Sequence, residues 1–177
     1  MSAESTRGPV LLEWARARLR QELGGDTATR PTVPWGDEKL GTFVTWRWTD
    51  SRLQGCIGNL GADRAILDDV AHNTVAAGLH DPRAKSLALR DLGDLHAEVS
   101  VLSPLEEIAS EGDIRIGIDG IVIQQGWKRA TFLPIMWAQL PTLEQFMGEL
   151  KRKAGLPRSF PSAELELWRY TVARYDE

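Results

Sequence analysis

The chain contains one cysteine, Cys56, which lies between two glycines in the stretch Gly55-Cys56-Ile57-Gly58. A thiol becomes a nucleophile when nearby cations lower its pKa, and glycine allows backbone or a ligand to approach a strand closely. The stretch therefore fits a catalytic or ligand-contacting cysteine. It also fits a small residue packed beneath a bend or bulge in a strand, because free cysteines are among the most buried residue types.

Charged residues that could complete such a site are Arg52, Asp81, Arg83 and Glu98. The planar guanidinium of Arg83 can bind an anionic substrate through two hydrogen bonds, and Asp81 or Glu98 could move a proton. Asp81 has a structural alternative, because an aspartate before proline builds a turn through its own side chain. Both interpretations of Asp81 stay open.

The elements that must position these residues follow from their periodicity. Residues 40–48 alternate between apolar and polar side chains, which predicts a strand, and a second apolar stretch over residues 53–60 follows at hairpin distance. Cys56 then lies in the second strand of a hairpin. A helix is predicted over residues 64–79, with Asp63 as its cap and Asp81-Pro82 as its end.

Further strands and helices are predicted along the rest of the chain. They are an amphipathic helix over residues 9–23, a strand over 95–102, a hairpin of 114–116 with 121–123 around Asp119-Gly120, a short strand over 131–134, a helix over 142–154 and a strand over 164–174. Hairpins outnumber crossover units. We therefore expect an α+β fold with a largely antiparallel sheet and flanking helices.

Composition excludes several kinds of protein. The 177 residues carry 21 Lys+Arg against 25 Asp+Glu, and this net charge of −4 argues against a nucleic-acid-binding role. One cysteine allows no intrachain disulfide or cysteine-rich zinc site, and the histidines show no metal-binding spacing. With no apolar run near the ~20 residues of a membrane span and no charged leader, we expect a cytoplasmic protein with a reduced thiol.

Seven tryptophans are the other unusual feature of the composition. Trp46 and Trp48 share one face of the strand over residues 40–48, which predicts that they fill the core. Trp35 lies in a loop rich in proline and glycine. We leave open whether it packs inside or forms a surface contact, since tryptophan is enriched at interface hot spots.

The stretch Leu53-Gln54-Gly55-Cys56-Ile57-Gly58 resembles the Leu-Arg-Gly-Cys-Ile-Gly signature of the AMMECR-type domain family, whose bacterial members are called AmmeMemoRadiSam system protein A. Other segments resemble further family motifs in the same order, namely residues 81–83, 98–104, 116–121, 131–134 and 153–157. The resemblance extends over nearly the whole chain. The chain departs from the motifs at Gln54, where the family has arginine, and at Ala84, where it has phenylalanine.

The resemblance implies a single AMMECR-type domain over residues 1–177, with a larger and a smaller lobe and a cleft near the Gly-Cys-x-Gly motif. It implies a small-molecule or catalytic site in that cleft, with Cys56 as nucleophile or ligand contact. The binding residues would be Arg52, Gln54, Gly55, Gly58, Asp81, Arg83 and Glu98. The family supplies no established reaction and no cofactor. The alternative is a non-catalytic partner or scaffold beside a Memo-like protein and a radical S-adenosylmethionine protein, near which family members are often encoded.

Overall fold

The computed structural model describes residues 3–177, which divide into two compact units. The first unit comprises the residues up to Leu102 together with Ala173–Glu177, and the second comprises Ser103–Val172. Within residues 3–177 the α-helices are α1 (Ala3–Glu22), α2 (Ile66–Val75) and α3 (Leu143–Lys153). The strands of the same residues are β1 (Thr42–Trp48), β2 (Leu53–Gly58), β3 (Leu95–Leu102), β4 (Glu106–Ile108), β5 (Gly120–Gln125), β6 (Lys128–Phe132), β7 (Glu166–Tyr170) and β8 (Val172–Asp176).

The strands form two four-stranded sheets. In the first sheet the order is β2-β1-β3-β8, and in the second it is β4-β7-β5-β6. The pairs of β1 with β2 and β3, and of β5 with β6 and β7, are antiparallel. This confirms the α+β fold with antiparallel sheets that the sequence predicts. Among residues 3–177, none of the helices combines the length and the apolar character that a membrane span requires.

Helix α1 covers the first sheet through a buried stripe. Leu11, Ala15 and Leu19 are fully buried, at the spacing of four that places side chains on one helix face. The helix begins at Ala3, so the prediction that it starts at Pro9 was wrong. Proline is a common first residue of a helix because it lacks an N–H, but here Pro9 is enclosed within the helix.

Tryptophans fill the core of the first unit. The indole N–H of Trp14 donates to the Leu67 carbonyl over 2.8 Å, and that of Trp46 donates to the Thr74 carbonyl over 3.2 Å. The core interpretation of Trp46 is therefore confirmed. Trp35 is 4% exposed and lies beneath the guanidinium of Arg7 at 4.9 Å, so it is a core residue and not a surface contact.

The helical segment that starts with α2 begins later than predicted but ends at His80, before Asp81, as predicted. It begins at Ile66 after Ala65 without a side-chain cap, so the prediction of Asp63 as its cap was wrong. Ala65 instead forms an isolated β-bridge with Lys39, which fixes the entry to the helix. The helix continues into a π-helical turn, Ala76–His80, and the chain leaves it at Asp81 in extended conformation.

The hairpin of the second unit lies beyond the predicted one. Residues 114–116 do not form a strand, because the buried carboxylate of Asp119 accepts hydrogen bonds from the backbone and guanidinium of Arg115 and closes a tight loop. Strand β5 starts after this loop and turns at Gly126 and Trp127 into β6, with Gln125 paired to Lys128. The hairpin predicted around Asp119-Gly120 was therefore wrong.

Helix α3 is the helix predicted over residues 142–154. The hydroxyl of Thr142 accepts from the Gln145 N–H over 3.2 Å, and the Gln145 side chain accepts from the Thr142 N–H, which is the expected capping box. Its Phe146 stacks on Trp137 with 3.7 Å between ring centroids.

The last predicted strand, residues 164–174, is two strands. Strands β7 and β8 are separated at Thr171 and belong to different sheets. The Thr171 N–H donates to the Ser103 hydroxyl over 2.9 Å, and its carbonyl accepts from the Ser103 N–H over 2.9 Å. These bonds hold the chain where it passes from one sheet to the other.

Candidate functional site

Cys56 lies on β2, directly opposite Thr45 of β1. The register of this pair shifts after Trp46, which faces Gly55, because Gln54 is an extra residue on β2. Such a bulge increases the local twist and redirects side chains. The Gln54 side chain at the bulge is fully buried, whereas Cys56 is half-buried.

The two glycines of the motif are sites of close backbone approach, as their positions in the sequence suggest. A Cβ at Gly55 would lie 2.0 Å from the Ala77 carbonyl oxygen, and one at Gly58 would lie 2.3 Å from the Thr42 carbonyl oxygen. Both distances are shorter than atoms tolerate. Gly55 therefore allows the π-helical turn to pack directly against β2, which brings Asp81 next to the cysteine.

Asp81 connects the cysteine to Arg83. Its Oδ2 accepts a hydrogen bond from the Cys56 backbone N–H over 2.9 Å and one from Arg83 Nη2 over 2.7 Å. Its Oδ1 accepts from the backbone N–H and from Nε of Arg83, both over 2.9 Å. The Asp81 side chain is 1% exposed, whereas that of Arg83 is 61% exposed. The buried carboxylate thus holds an exposed cation at a fixed position.

These bonds keep Asp81 ionised. The guanidinium of Arg83, followed by the backbone N–H groups of Cys56 and Arg83, holds the pKa of the Asp81 carboxyl far below its usual range. A carboxylate that stays charged at every physiological pH is a poor general base. The geometry therefore favours a positioning role for Asp81 over proton transfer.

Cys56 is half-buried and forms no disulfide. The hydroxyl of Thr45 donates to Cys56 Sγ over 3.1 Å. Arg83 is bound by the same Asp81 carboxylate oxygen that accepts from the Cys56 backbone N–H. A hydroxyl and a guanidinium both donate hydrogen bonds, and such donors bind an anion.

Glu98 shares a row of the sheet with the cysteine but does not contact it. Thr45 faces Cys56 on one side and Glu98 on the other, so two strand spacings, about 10 Å, separate the two positions. Thr45 is only 6% exposed, and Arg174 Nη2 lies 2.6 Å from Glu98 Oε2. Glu98 is thus held by an ion pair at the far side of the row.

Arg52 and Gln54 are placed away from the thiol. Arg52 Nε donates to Asp50 over 2.6 Å, in the turn that joins β1 to β2. Gln54 is fully buried and donates from Nε2 to the Gly78 and Lys85 carbonyls over 2.9 and 2.6 Å, while its Oε1 accepts from the Trp48 indole over 3.0 Å. These bonds occupy both ends of the amide, which ties β2 to the π-helical turn and to the loop after it.

The structure therefore brings together Cys56, Gly55, Asp81 and Arg83 out of the predicted set. It adds Thr45, which the sequence analysis missed. The sequence does predict that these two strands pair, because they alternate and are joined by a short turn. It does not predict which residue faces Cys56, because the bulge at Gln54 shifts the register that the turn length alone would give. A hollow of about 490 Å³ along α1 is lined by residues that include Leu12 and Arg16, and Cys56 does not contribute to it.

Comparison with known proteins gives consistent matches. A family model described as AMMECR1 matches residues 12–175. The chain is similar to a protein of Methanothermobacter thermautotrophicus, with 30% identity over 96% of this chain and 94% of that protein. It is 32% identical to a protein of Thermotoga maritima, over 77% of this chain and 78% of that one.

A solved structure is similar along almost its whole length. It is the crystal structure of the uncharacterized protein PH0010 from Pyrococcus horikoshii, with a TM-score of 0.78 and 27% identity. The similarity covers 96% of this chain and 91% of that chain. The fold and the sequence motifs thus point to the same group of proteins.

Proposed function

The chain belongs to the AMMECR1 family, and we propose that it binds a small anionic molecule beside Cys56, with Arg83 recognising the negative charge. The family consists of uncharacterised proteins without an established reaction. The proposal therefore rests on the geometry at the cysteine. Gly55 and Gly58 act through their backbone, and Cys56 is the ligand contact, or the nucleophile if the ligand proves electrophilic.

The observation that carries the proposal is the bridge made by Asp81. One buried carboxylate binds both the Cys56 backbone N–H and the exposed guanidinium of Arg83, which supports a cation held near the cysteine. Asp81 uses Nε and Nη2 of Arg83, and a guanidinium carries five N–H donors. Donors remain on its outer edge for a carboxylate or phosphate oxygen.

Alkylation of Cys56 by iodoacetamide tests this arrangement. Because Cys56 is the one cysteine of the chain, the rate of modification reports on this site alone. We expect inorganic phosphate or citrate to slow alkylation in a saturable manner, and Arg83→Gln to abolish that protection. Protection that is absent for every anion tested, or that survives in the Arg83→Gln protein, would contradict the proposal.

Arg115→Gln is the matched control. Arg115 is also an exposed arginine whose backbone and guanidinium bind a fully buried aspartate, Asp119, but it belongs to the second unit. The Arg115→Gln substitution should leave the alkylation rate and the protection by anions unchanged. Cys56→Ser, studied by calorimetry with the same anions, separates a ligand contact from a nucleophile, because a serine retains a polar contact and loses the thiolate.

A second candidate function is that of a partner protein acting beside a Memo-like protein and a radical S-adenosylmethionine protein. Large apolar side chains on the surface of the second unit favour it, with Trp127 89%, Ile135 67% and Ile116 54% exposed. Co-purification of the tagged protein with those two proteins tests this role. We further propose a cytoplasmic location, supported by the free thiol, and fractionation of cells tests it.

A further inference from the structure

Trp127 lies at a position of a hairpin turn where the backbone does not require a tryptophan. Gln125 pairs with Lys128, so Gly126 and Trp127 form a two-residue hairpin turn, and Gly126 has the positive φ of 59° that the first position of a type II′ turn demands. The second position accepts ordinary polar residues. The Trp127 side chain is nevertheless 89% exposed, and its ring contacts Lys128, whose Nζ lies 5.8 Å from the ring centroid.

Strand β6, which follows this tryptophan, is an edge of the second sheet. The pair Gln125–Lys128 closes the hairpin and is hydrogen-bonded, so hydrogen-bonded and non-bonded pairs alternate along the ladder. The backbone groups of Arg129 and Thr131 therefore point away from β5. The outward direction is confirmed at Thr131, whose carbonyl accepts from Lys153 Nζ over 2.9 Å.

Positive charge is concentrated along this edge. Lys128 and Arg129 belong to the strand, and Arg152 and Lys153 approach it from the last turn of α3. Glu149 is the acidic residue of the same helix face, and Arg152 Nε lies 3.0 Å from its Oε2 while Arg158 binds its Oε1. The edge therefore carries an excess of cations within a chain whose net charge is −4.

A hollow of about 400 Å³ opens beside the end of β6. It is lined by Phe132, Glu149, Arg152 and Lys153, and the Lys153 ammonium lies 5.0 Å above the Phe132 ring. An apolar floor beside the Lys153 ammonium, with the Arg152–Glu149 ion pair also lining the hollow, fits one side chain of an extended segment that continues along the strand.

We propose that the β6 edge binds an extended acidic segment of a partner protein, which pairs with Arg129 and Thr131 as a further strand. Trp127 covers the segment at the turn, and a side chain of the segment enters the hollow at Phe132. Lys153 occupies the Thr131 carbonyl in the unbound chain, as lysines at sheet edges commonly prevent unwanted pairing. On binding, Lys153 exchanges this carbonyl for a carboxylate of the segment.

The proposed binding at the β6 edge does not involve Cys56. It rests on the second candidate function, that of a partner protein, and specifies where the partner binds and that the bound segment is acidic. It does not depend on which protein supplies the segment. Failure to co-purify the two proteins named above would leave it standing, since the probe below is a peptide of defined sequence. Conversely, absence of peptide binding would leave those partners free to bind elsewhere.

The test is an NMR titration of the full chain with a capped peptide of alternating threonine and glutamate. We expect the amides of Arg129 and Thr131 to shift and their hydrogen exchange to slow, because strand addition bonds these groups. Trp127→Ser should weaken binding by about tenfold or more, as loss of an interface hot spot does. Lys153→Glu should reverse the preference in favour of a threonine–lysine peptide.

Ile135→Ser is the matched control, because Ile135 is 67% exposed in the same unit but lies outside β6 and α3. It should bind the acidic peptide like the unaltered chain. The proposal is overturned if the amides of Arg129 and Thr131 exchange at an unchanged rate with millimolar acidic peptide. Trp127-dependent binding of single-stranded RNA or anionic vesicles without peptide binding would also overturn it, since neither pairs with a strand.

Discussion

The Asp81 carboxylate accepts a hydrogen bond from the backbone N–H of Cys56, over 2.9 Å and across 25 positions of the chain. The bond fixes the cysteine of β2 to the residue that follows the helical segment. The same carboxylate oxygen also accepts from the guanidinium of Arg83. The first predictions test how strongly the fold depends on this connection.

Asp81→Asn should destabilise the protein and change its response to acid. Because the pKa of Asp81 is lower in the folded chain than in the unfolded chain, its contribution to the free energy of unfolding is present above the unfolded pKa, near ~4, and is lost as the pH falls through the folded pKa. We expect a loss of about 1–3 kcal/mol at neutral pH, because the amide cannot replace the buried carboxylate as acceptor of the Cys56 and Arg83 N–H groups. Urea denaturation between about pH 2 and pH 7 measures it, and the variant should show a shallower acid dependence. An acid limb of unchanged slope would contradict this assignment.

Gly55→Ala should be strongly destabilising, because its Cβ would lie 2.0 Å from the Ala77 carbonyl oxygen, a backbone atom that cannot rotate away. We expect a cost of about 3 kcal/mol or more in chemical denaturation. Gly93→Ala is the matched control, since no atom lies within 4 Å of a Cβ built there. Equal stability of the two variants would show that β2 and the π-helical turn do not pack as described.

Gln54→Leu should lower the free energy of unfolding by more than the removal of a glutamine amide at an exposed position does. The substitution leaves the Trp48 indole and the Gly78 and Lys85 carbonyls without their partner. The bond to the Gly78 carbonyl is buried, and a buried unsatisfied group costs about 1–3 kcal/mol, while the two partly buried groups add less. Gln124→Leu, which removes a bond to the Gly126 carbonyl at an exposed position, should cost far less. Thermal melts of both variants give the comparison.

Tyr170 should ionise only at high pH. Burial, partly offset by its hydrogen bond with Thr131, raises the pKa of Tyr170 to about 12, from an ordinary value near 10. Since the folded pKa is the higher one, the stabilisation is complete below about pH 10 and is lost as the pH rises through about 12. Absorbance titration at the tyrosinate band should show a step that Tyr170→Phe removes. A step near pH 10 that this substitution removes would place Tyr170 in water.

Periodicity predicted the elements whose pattern is local. The alternation over residues 40–48, the α3 capping box and the strand Leu95–Leu102 are all present, because each depends on neighbours in sequence. The Asp119-Gly120 hairpin failed because Asp119 uses its side chain to bind Arg115, four residues earlier, and such a bond leaves no periodic signal.

For the candidate site, too, the sequence predicted the local segments but not the contacts between them. Cys56 and the segment with Asp81 and Arg83 were identified, yet their contact depends on tertiary packing at Gly55. Of the tryptophans, Trp35 lies in an irregular loop and is buried, whereas Trp127 lies in the turn between β5 and β6 and is exposed. Burial outside regular elements is decided by which elements close over a residue, and no pattern within the loop records it.

The π-helical turn Ala76–His80 restricts how the length of the chain can change. Such turns arise when a single residue is inserted into an α-helix, and one residue of helix corresponds to a rotation of about 100°. If the same residues formed a regular α-helix, Asp81 would be rotated by this angle away from the Cys56 N–H. The spacing between Gly-Cys-x-Gly and Asp-Pro-Arg is thus a mechanical requirement, and a search for proteins with the same site can use it in place of overall identity.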